Sequence, residues 1–172
     1  ATLPKGNQNF KLAKVLGVDY LEYSPYRFAY MTEHEKLWRN TANIPQLVDA
    51  EFIKVLPTTA ETLSKIQWPC GESVPPRAFR HIMPPPGDVS DFPAISVNHY
   101  GKGKAIYFAA PIFRSYWEYN HFWLKNIFNN CLNYFDQEKP YYIEGYPGVE
   151  VTLTEKDGKK YLHIISYQNN HT

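Results

Sequence analysis

Three kinds of residue in this sequence could do chemistry. His34 stands between Glu33 and Glu35, a grouping that invites metal binding or acid–base work. It lacks the His-Glu-x-x-His spacing that sets two ligands on one helical face, so a solvated charged turn is the favoured account. Cys70 lies in Trp68-Pro69-Cys70-Gly71-Glu72, without the strand-to-helix step that exposes a nucleophile, and reads as a free loop thiol. The tryptophans Trp38, Trp68 and Trp117, if exposed, offer flat apolar faces for stacking on sugar rings.

The rest of the search for chemistry is negative. His34, His81, His99, His121, His163 and His171 are scattered, and His121 and His163 read as structural. Cys70 and Cys131 have no CxxC spacing, and a disulfide between them is disfavoured; Cys131 reads as a small buried thiol on an apolar helix face. Gly101-x-Gly103 falls in a hairpin, where it cannot cradle a phosphate. No two carboxylates can be argued into one glycosidase centre from spacing. Asn170-His171-Thr172 matches a glycosylation sequon at the chain end. The sequence therefore calls for no catalytic residue, metal or cofactor.

The bulk composition narrows the class. The chain has 172 residues, 44 % of them hydrophobic, enough for a sizeable core. The 18 basic and 17 acidic residues are dispersed, so neither nucleic acid nor an anionic membrane is an expected partner. No apolar run approaches the roughly 20 residues that span a bilayer. The first residues carry no signal-peptide core, so any such peptide was removed or never existed. A soluble chain follows, with cytoplasm, periplasm and exterior all open. Aromatics make up 16 %, including 14 Tyr, a content suited to sugar stacking and subunit interfaces but chiefly assigned to the core.

The elements that must position these residues are centred on 98–135. A turn at Tyr100–Lys104 leads into the apolar run Ala105–Ala110, expected as a central strand paired with Ala94–Asn98. Ser115 and Glu118 are spaced like a capping box, with Asn120 as a rival cap. Trp123, Ile127, Cys131 and Tyr134 then recur at helical spacing, flanked by Phe122, Phe128, Leu132 and Phe135. Upstream, 9–18 reads as the end of a helix stopped by Gly17, and Val18–Tyr23 as a strand. Arg27–Met31 is a possible strand and Glu33–Trp38 a short polar helix. Glu51–Leu56 and Glu61–Trp68 read as a hairpin about Pro57-Thr58-Thr59. Seven of the 14 prolines fall from Pro69 to Pro93, which predicts an extended surface loop open to a partner. Val149–Thr154 and Tyr161–Tyr167 flank Asp157-Gly158 as a hairpin, the opening of a β-domain. The expected domains are 1–139 and 140–172.

Several of these stretches carry a resemblance. They are Leu12-Ala13-x-x-Leu16-Gly17-Val18, the run Gly101–Phe113, the helix from Tyr119 to Phe135 with His121 at its start, Pro147–Leu153, and Leu162–Asn169. Together they resemble the end of the glutamine-amidotransferase-like trimerisation domain of glycoside hydrolases such as family-42 β-galactosidases and fucosidase-like enzymes. The resemblance implies an α/β, flavodoxin-like mixed sheet lacking its first strands, followed by the C-terminal β-hairpin. It implies no amidotransferase activity, and none of the six histidines is followed two positions on by Glu. It implies sugar-cleaving carboxylates in a separate barrel, and as partners either copies of the chain or the remaining domains of a parent enzyme.

Three functions are thus in play. The first is a non-catalytic assembly or accessory domain of a glycoside hydrolase, lending a loop such as Trp68–Phe92 to a neighbouring site. The second is a carbohydrate-binding module using Trp38, Trp68 or Trp117. The third is a small hydrolase using Cys70 or His34.

Overall fold

The computed structural model describes residues 9–71, 84–134 and 149–167. The chain divides into two compact units, Ala1–Phe135 and Asp136–Thr172. The sequon at 170–172, His81, and 72–83 of the proline-dense stretch lie outside the described residues.

In the first unit a four-residue helix α1 (Ala13–Leu16) ends at Gly17, whose φ of 68° is the left-handed C-cap expected of a glycine there. Strand β1 (Val18–Tyr23) follows, then β2 (Ala29–Met31), β3 (Gln46–Val48), β4 (Ile53–Pro57) and β5 (Glu61–Pro69). The 15-residue β6 (Pro86–Tyr100) turns through Gly101 into β7 (Gly103–Phe108). Helices α2 (Ile112–Tyr119) and α3 (Phe122–Asn133) close the unit. The strands form a five-stranded sheet in the order β3-β2-β5-β6-β7 and a two-stranded sheet β1-β4.

This corrects the expected α/β flavodoxin-like mixed sheet. Among the described residues every strand pairing is antiparallel. Among the described residues 47 % are strand and 18 % helix. A parallel pair needs a crossover of a dozen or more residues, usually a helix. Here α1 has only four residues, and α2 and α3 follow one another without a strand between them.

Three local readings also change. The stretches Glu51–Leu56 and Glu61–Trp68 do form strands, but β4 pairs with β1 and β5 with β2 and β6, so no hairpin joins them. The diversion begins at Gly17, whose carbonyl accepts the amides of Thr58, Thr59 and Ala60 and splits the strands apart. The proline-dense stretch contributes half of β6 instead of a loop throughout. β7 pairs only with Ile95–Tyr100, so Pro86 and Pro93 sit where β6 has a free edge, and repeated register shifts against β5 absorb the irregularity. β7 itself is an edge strand.

The helical region starts earlier than the caps indicate. α2 begins after Pro111, with Ser115 buried inside it. Asn120, at φ 51°, is the left-handed C-cap of α2, and its N–H donates to the Tyr116 carbonyl at 2.7 Å. The buried stripe of α3 is Leu124, Ile127 and Cys131; Trp123, Phe128 and Tyr134 pack at its margin, while Phe122 and Leu132 are exposed. The core joins this stripe to Phe52, Val55, Ile66, Ile95 and Val97.

In the second unit β8 (Val149–Lys156) pairs with β9 (Lys159–Ser166) through Asp157 and Gly158, both at positive φ, as the Asp-Gly signal required.

Candidate functional site

The first unit holds a cleft of about 750 Å³, within the usual size range of small-molecule sites. Its floor is the end of β7 and the chain beyond. Tyr107, Ala109 and Ala110 run along it, and the Ile53 N–H donates a hydrogen bond to the Ala109 carbonyl at 2.8 Å. Phe10 packs on Tyr107 with ring centroids 5.8 Å apart and edge-on against Tyr20. Asn9 holds Phe10 in place by accepting the amides of Phe10 and Tyr20, each at 2.8 Å.

The walls carry charge. Asp49 follows β3 and Arg27 precedes β2, and the β2–β3 pairing brings them together, Nε to Oδ1 at 3.9 Å. On α2, Arg114 and Glu118 are four residues apart on one face and form a 2.8 Å charge-assisted bond. Tyr23 and Tyr119 complete the rim.

Two groups are unusual: Tyr107, which lines the cleft, and His121, which lies outside its lining and stacks on the rim residue Tyr119. The Tyr107 hydroxyl is buried without a hydrogen-bond partner, and burial holds its pKa well above the ordinary phenol value. His121, stacked between Tyr119 and Trp123, has its pKa lowered by burial, a shift opposed by the nearby Asp49 carboxylate. The cleft offers hydrogen-bond donors on Arg27 and Arg114 and acceptors on Asp49, Glu51 and Glu118, beside aromatic side chains. Its Asp49 and Glu118 carboxylates each face an arginine.

None of the residues singled out from sequence lines this cleft. Trp38 is 3 % exposed, its Nε1 donating to the Ile44 carbonyl at 2.9 Å, so it serves the core and offers no face to solvent. Trp68 is half-buried and packs on Tyr26 at 5.5 Å. Trp117 is 87 % exposed on α2. Glu33–Trp38 forms a hydrogen-bonded turn instead of a helix, with the amides of Leu37 and Trp38 both donating to the His34 carbonyl. Cys70 is exposed and Cys131 buried, both as free thiols. Thr32, two residues before His34, donates its amide to the Lys65 carbonyl within β5, while Cys70 follows the end of that strand at Pro69, so the structure does not bring His34 and Cys70 together. Cys70 is packed against Gly87, where a Cβ would lie 2.8 Å from the Cys70 Cα. Among the described residues no three His, Cys, Asp or Glu side chains gather to hold a metal ion, and no helix is long and apolar enough to cross a membrane.

Sequence reasoning missed the cleft because Arg27 and Asp49 are brought together by β2–β3 pairing and Tyr107 is distant from both. The four-residue spacing of Arg114 and Glu118 is a signal the sequence carries, but Glu118 reads there as a capping-box partner of Ser115 instead.

No family model matches this sequence, and no curated protein matches it. Solved structures do share the fold. α-L-Fucosidase isoenzyme 2 from Paenibacillus thiaminolyticus superposes with a TM-score of 0.72 at 16 % identity, over 89 % of this chain and 23 % of that one. The β-galactosidase of Rahnella sp. R3 gives 0.55 at 17 %, over 91 % and 20 %. That of Bacillus circulans sp. alkalophilus gives 0.54 at 18 %, over 90 % and 19 %. These neighbours are glycoside hydrolases, and at such identities the likeness is one of fold. The chain spans about a fifth of their length.

Proposed function

We propose that this chain is a non-catalytic accessory domain of a carbohydrate-active glycoside hydrolase, and that it brings copies of the enzyme together. The observation that carries the reading is the asymmetry of coverage: about nine-tenths of this chain corresponds to about a fifth of each hydrolase. A segment of that size is a domain of the larger enzyme, with the sugar-cleaving chemistry elsewhere in the parent chain. The surface of α2 supports a role in assembly. Phe113 and Trp117 stand four residues apart on one helical face, both exposed, and Phe113 stacks edge-on against Phe128 of α3 at 4.7 Å. A large aromatic pair of this kind is what an interface core uses.

The test is the mass of the chain in solution by light scattering over a range of concentrations. A dimer or trimer is expected, reduced to monomer by Trp117→Asp. A monomer at every concentration would sink the assembly role. The non-catalytic role is checked by assaying the same protein on nitrophenyl β-galactoside and α-L-fucoside, where no turnover is expected.

A further inference from the structure

We infer that two copies of this chain pair through α2, with the helices antiparallel about a two-fold axis, so that Arg114 of each meets the partner's Glu118. The inference rests on the assembly reading above and gives it a partner, a second copy, and a symmetry. It starts from the outward surface of α2. At about 100° per residue, Phe113, Trp117, Arg114 and Glu118 fall within an arc of about 140°, on the side away from the buried Ile112 and Ser115. All four side chains reach solvent, Trp117 most of all. The exposed face of α2 is therefore an aromatic stripe beside an ionic one.

The order of the charges decides how a second copy sits. Parallel helices would set Arg114 against the partner's Arg114 and Glu118 against the partner's Glu118. Antiparallel helices alternate the signs, so each arginine meets a carboxylate of the other chain. The guanidinium can serve both acids. Its bond to Glu118 of its own helix is made by Nε at 2.8 Å, which leaves the two Nη nitrogens of the fork for a second carboxylate. The same rotation brings Phe113 of each copy toward the partner's Trp117, an aromatic centre with a polar rim. The same patch is used on both chains, so the contact closes at two and builds no ring of three. Four rings bury about 600 Å² or more before the ionic stripe is counted, against the roughly 1,000 Å² of a specific interface. The dimer is accordingly weak and concentration-dependent.

The experiment is sedimentation equilibrium of the full chain up to about 500 µM, on the wild type, Arg114→Glu, Glu118→Arg, the double variant and an equal mixture of the two single variants. The wild type should approach twice the monomer mass. Each single variant places like charges across the axis and should raise the dissociation constant about tenfold. Mixing the two single variants should restore association to within about threefold of wild type, because one chain then carries both acids and the other both bases. The double variant should also self-associate, since exchanging both charges keeps the alternation. Misfolding cannot imitate this pattern, because an unfolded variant is not rescued by mixing. A trimer, a dimer indifferent to the single exchanges, or a loss that mixing does not restore overturns the two-fold contact and leaves the assembly role standing. A monomer at every concentration overturns both.

Discussion

Asn98 locks Gly17 from below. Its Nδ2 donates to the Val15 carbonyl at 2.8 Å and to that of Lys14 at 3.3 Å, while its Oδ1 accepts from the Thr59 hydroxyl at 2.9 Å. A Cβ on Gly17 would lie 2.5 Å from Asn98 Cγ and 2.8 Å from the Ala60 amide nitrogen. One fully buried amide thus ties α1, the β4–β5 connection and β6 together.

Gly17→Ala combines two costs. A left-handed backbone disfavours any side chain by about 1–2 kcal/mol, and the overpacking adds about 1–3 kcal/mol because the Ala60 backbone cannot yield. A loss of about 2–5 kcal/mol in urea unfolding is expected. Asn98→Ala should cost about 1–3 kcal/mol by orphaning its partners. In the double variant the losses should be sub-additive, since the smaller side chain relieves one clash. Strict additivity would refute the contact.

A second clamp holds the turn after His34. Asn130 on α3 donates to the carbonyls of Leu37 and Arg39 at 2.9 and 2.8 Å, and Asn126 donates to that of Asn40 at 2.9 Å. These bonds seat Leu37 and Trp38 in the core. Asn130→Ala should therefore cost about 1–3 kcal/mol, against about 0.5–1.5 kcal/mol for the more exposed Asn126→Ala. Trp38 fluorescence should shift in the first variant. Equal, negligible losses in both would show that the turn is held by burial of Leu37 alone.

These clamps show which parts of the fold were legible in the sequence. Local signals could be read: Gly17 as a helix stop, Val18–Tyr23 as a strand, the β6–β7 and β8–β9 hairpins and the core role of Ile127. Each depends on neighbours a few residues away. The sheet order and the cleft were not legible, because β1–β4, β2–β5 and the Arg27–Asp49 pair join residues far apart in the chain. The flavodoxin-like expectation rests on the resemblance to a trimerisation domain, and the apolar run of β7 cannot correct it, because a short apolar strand at a sheet edge has the same local pattern as a central one. Trp38 illustrates the other limit, since an amphipathic ring reads alike in core and surface until its Nε1 partner is seen.

The two thiols should separate cleanly in labelling. Cys70 is exposed and Cys131 is buried on α3. A disulfide reagent should modify one thiol per native chain and two in denaturant. Burial pushes the Cys131 thiol up from 9 to about 12, and also raises Tyr107 from its ordinary value of 10. A raised folded pKa means that the native state holds its proton more tightly. Stability is then complete below about pH 9 and falls as pH climbs from 9 toward 12. Cys131→Ala should flatten that fall. Rapid labelling of both thiols in native buffer would show that α3 opens readily.

Acid should weaken the fold through two histidines. Burial lowers the pKa of His34, with Lys36 adding to the shift and Glu35 and Glu61 opposing it. Burial lowers that of His121 against the opposing pull of Asp49. The Nδ1 atoms of both are buried without a partner. A depressed folded pKa means that the unfolded chain binds protons first. The histidine contribution is therefore fully present above pH 6.5 and is lost as pH falls below it. The Tm should decline between pH 6.5 and about 5, before most carboxylates titrate. His34→Gln and His121→Gln should each reduce the slope, and the double variant should remove most of it. A Tm that stays level across this range in the wild-type protein would mean that both rings are protonated in the folded chain as readily as in water, and that neither is desolvated.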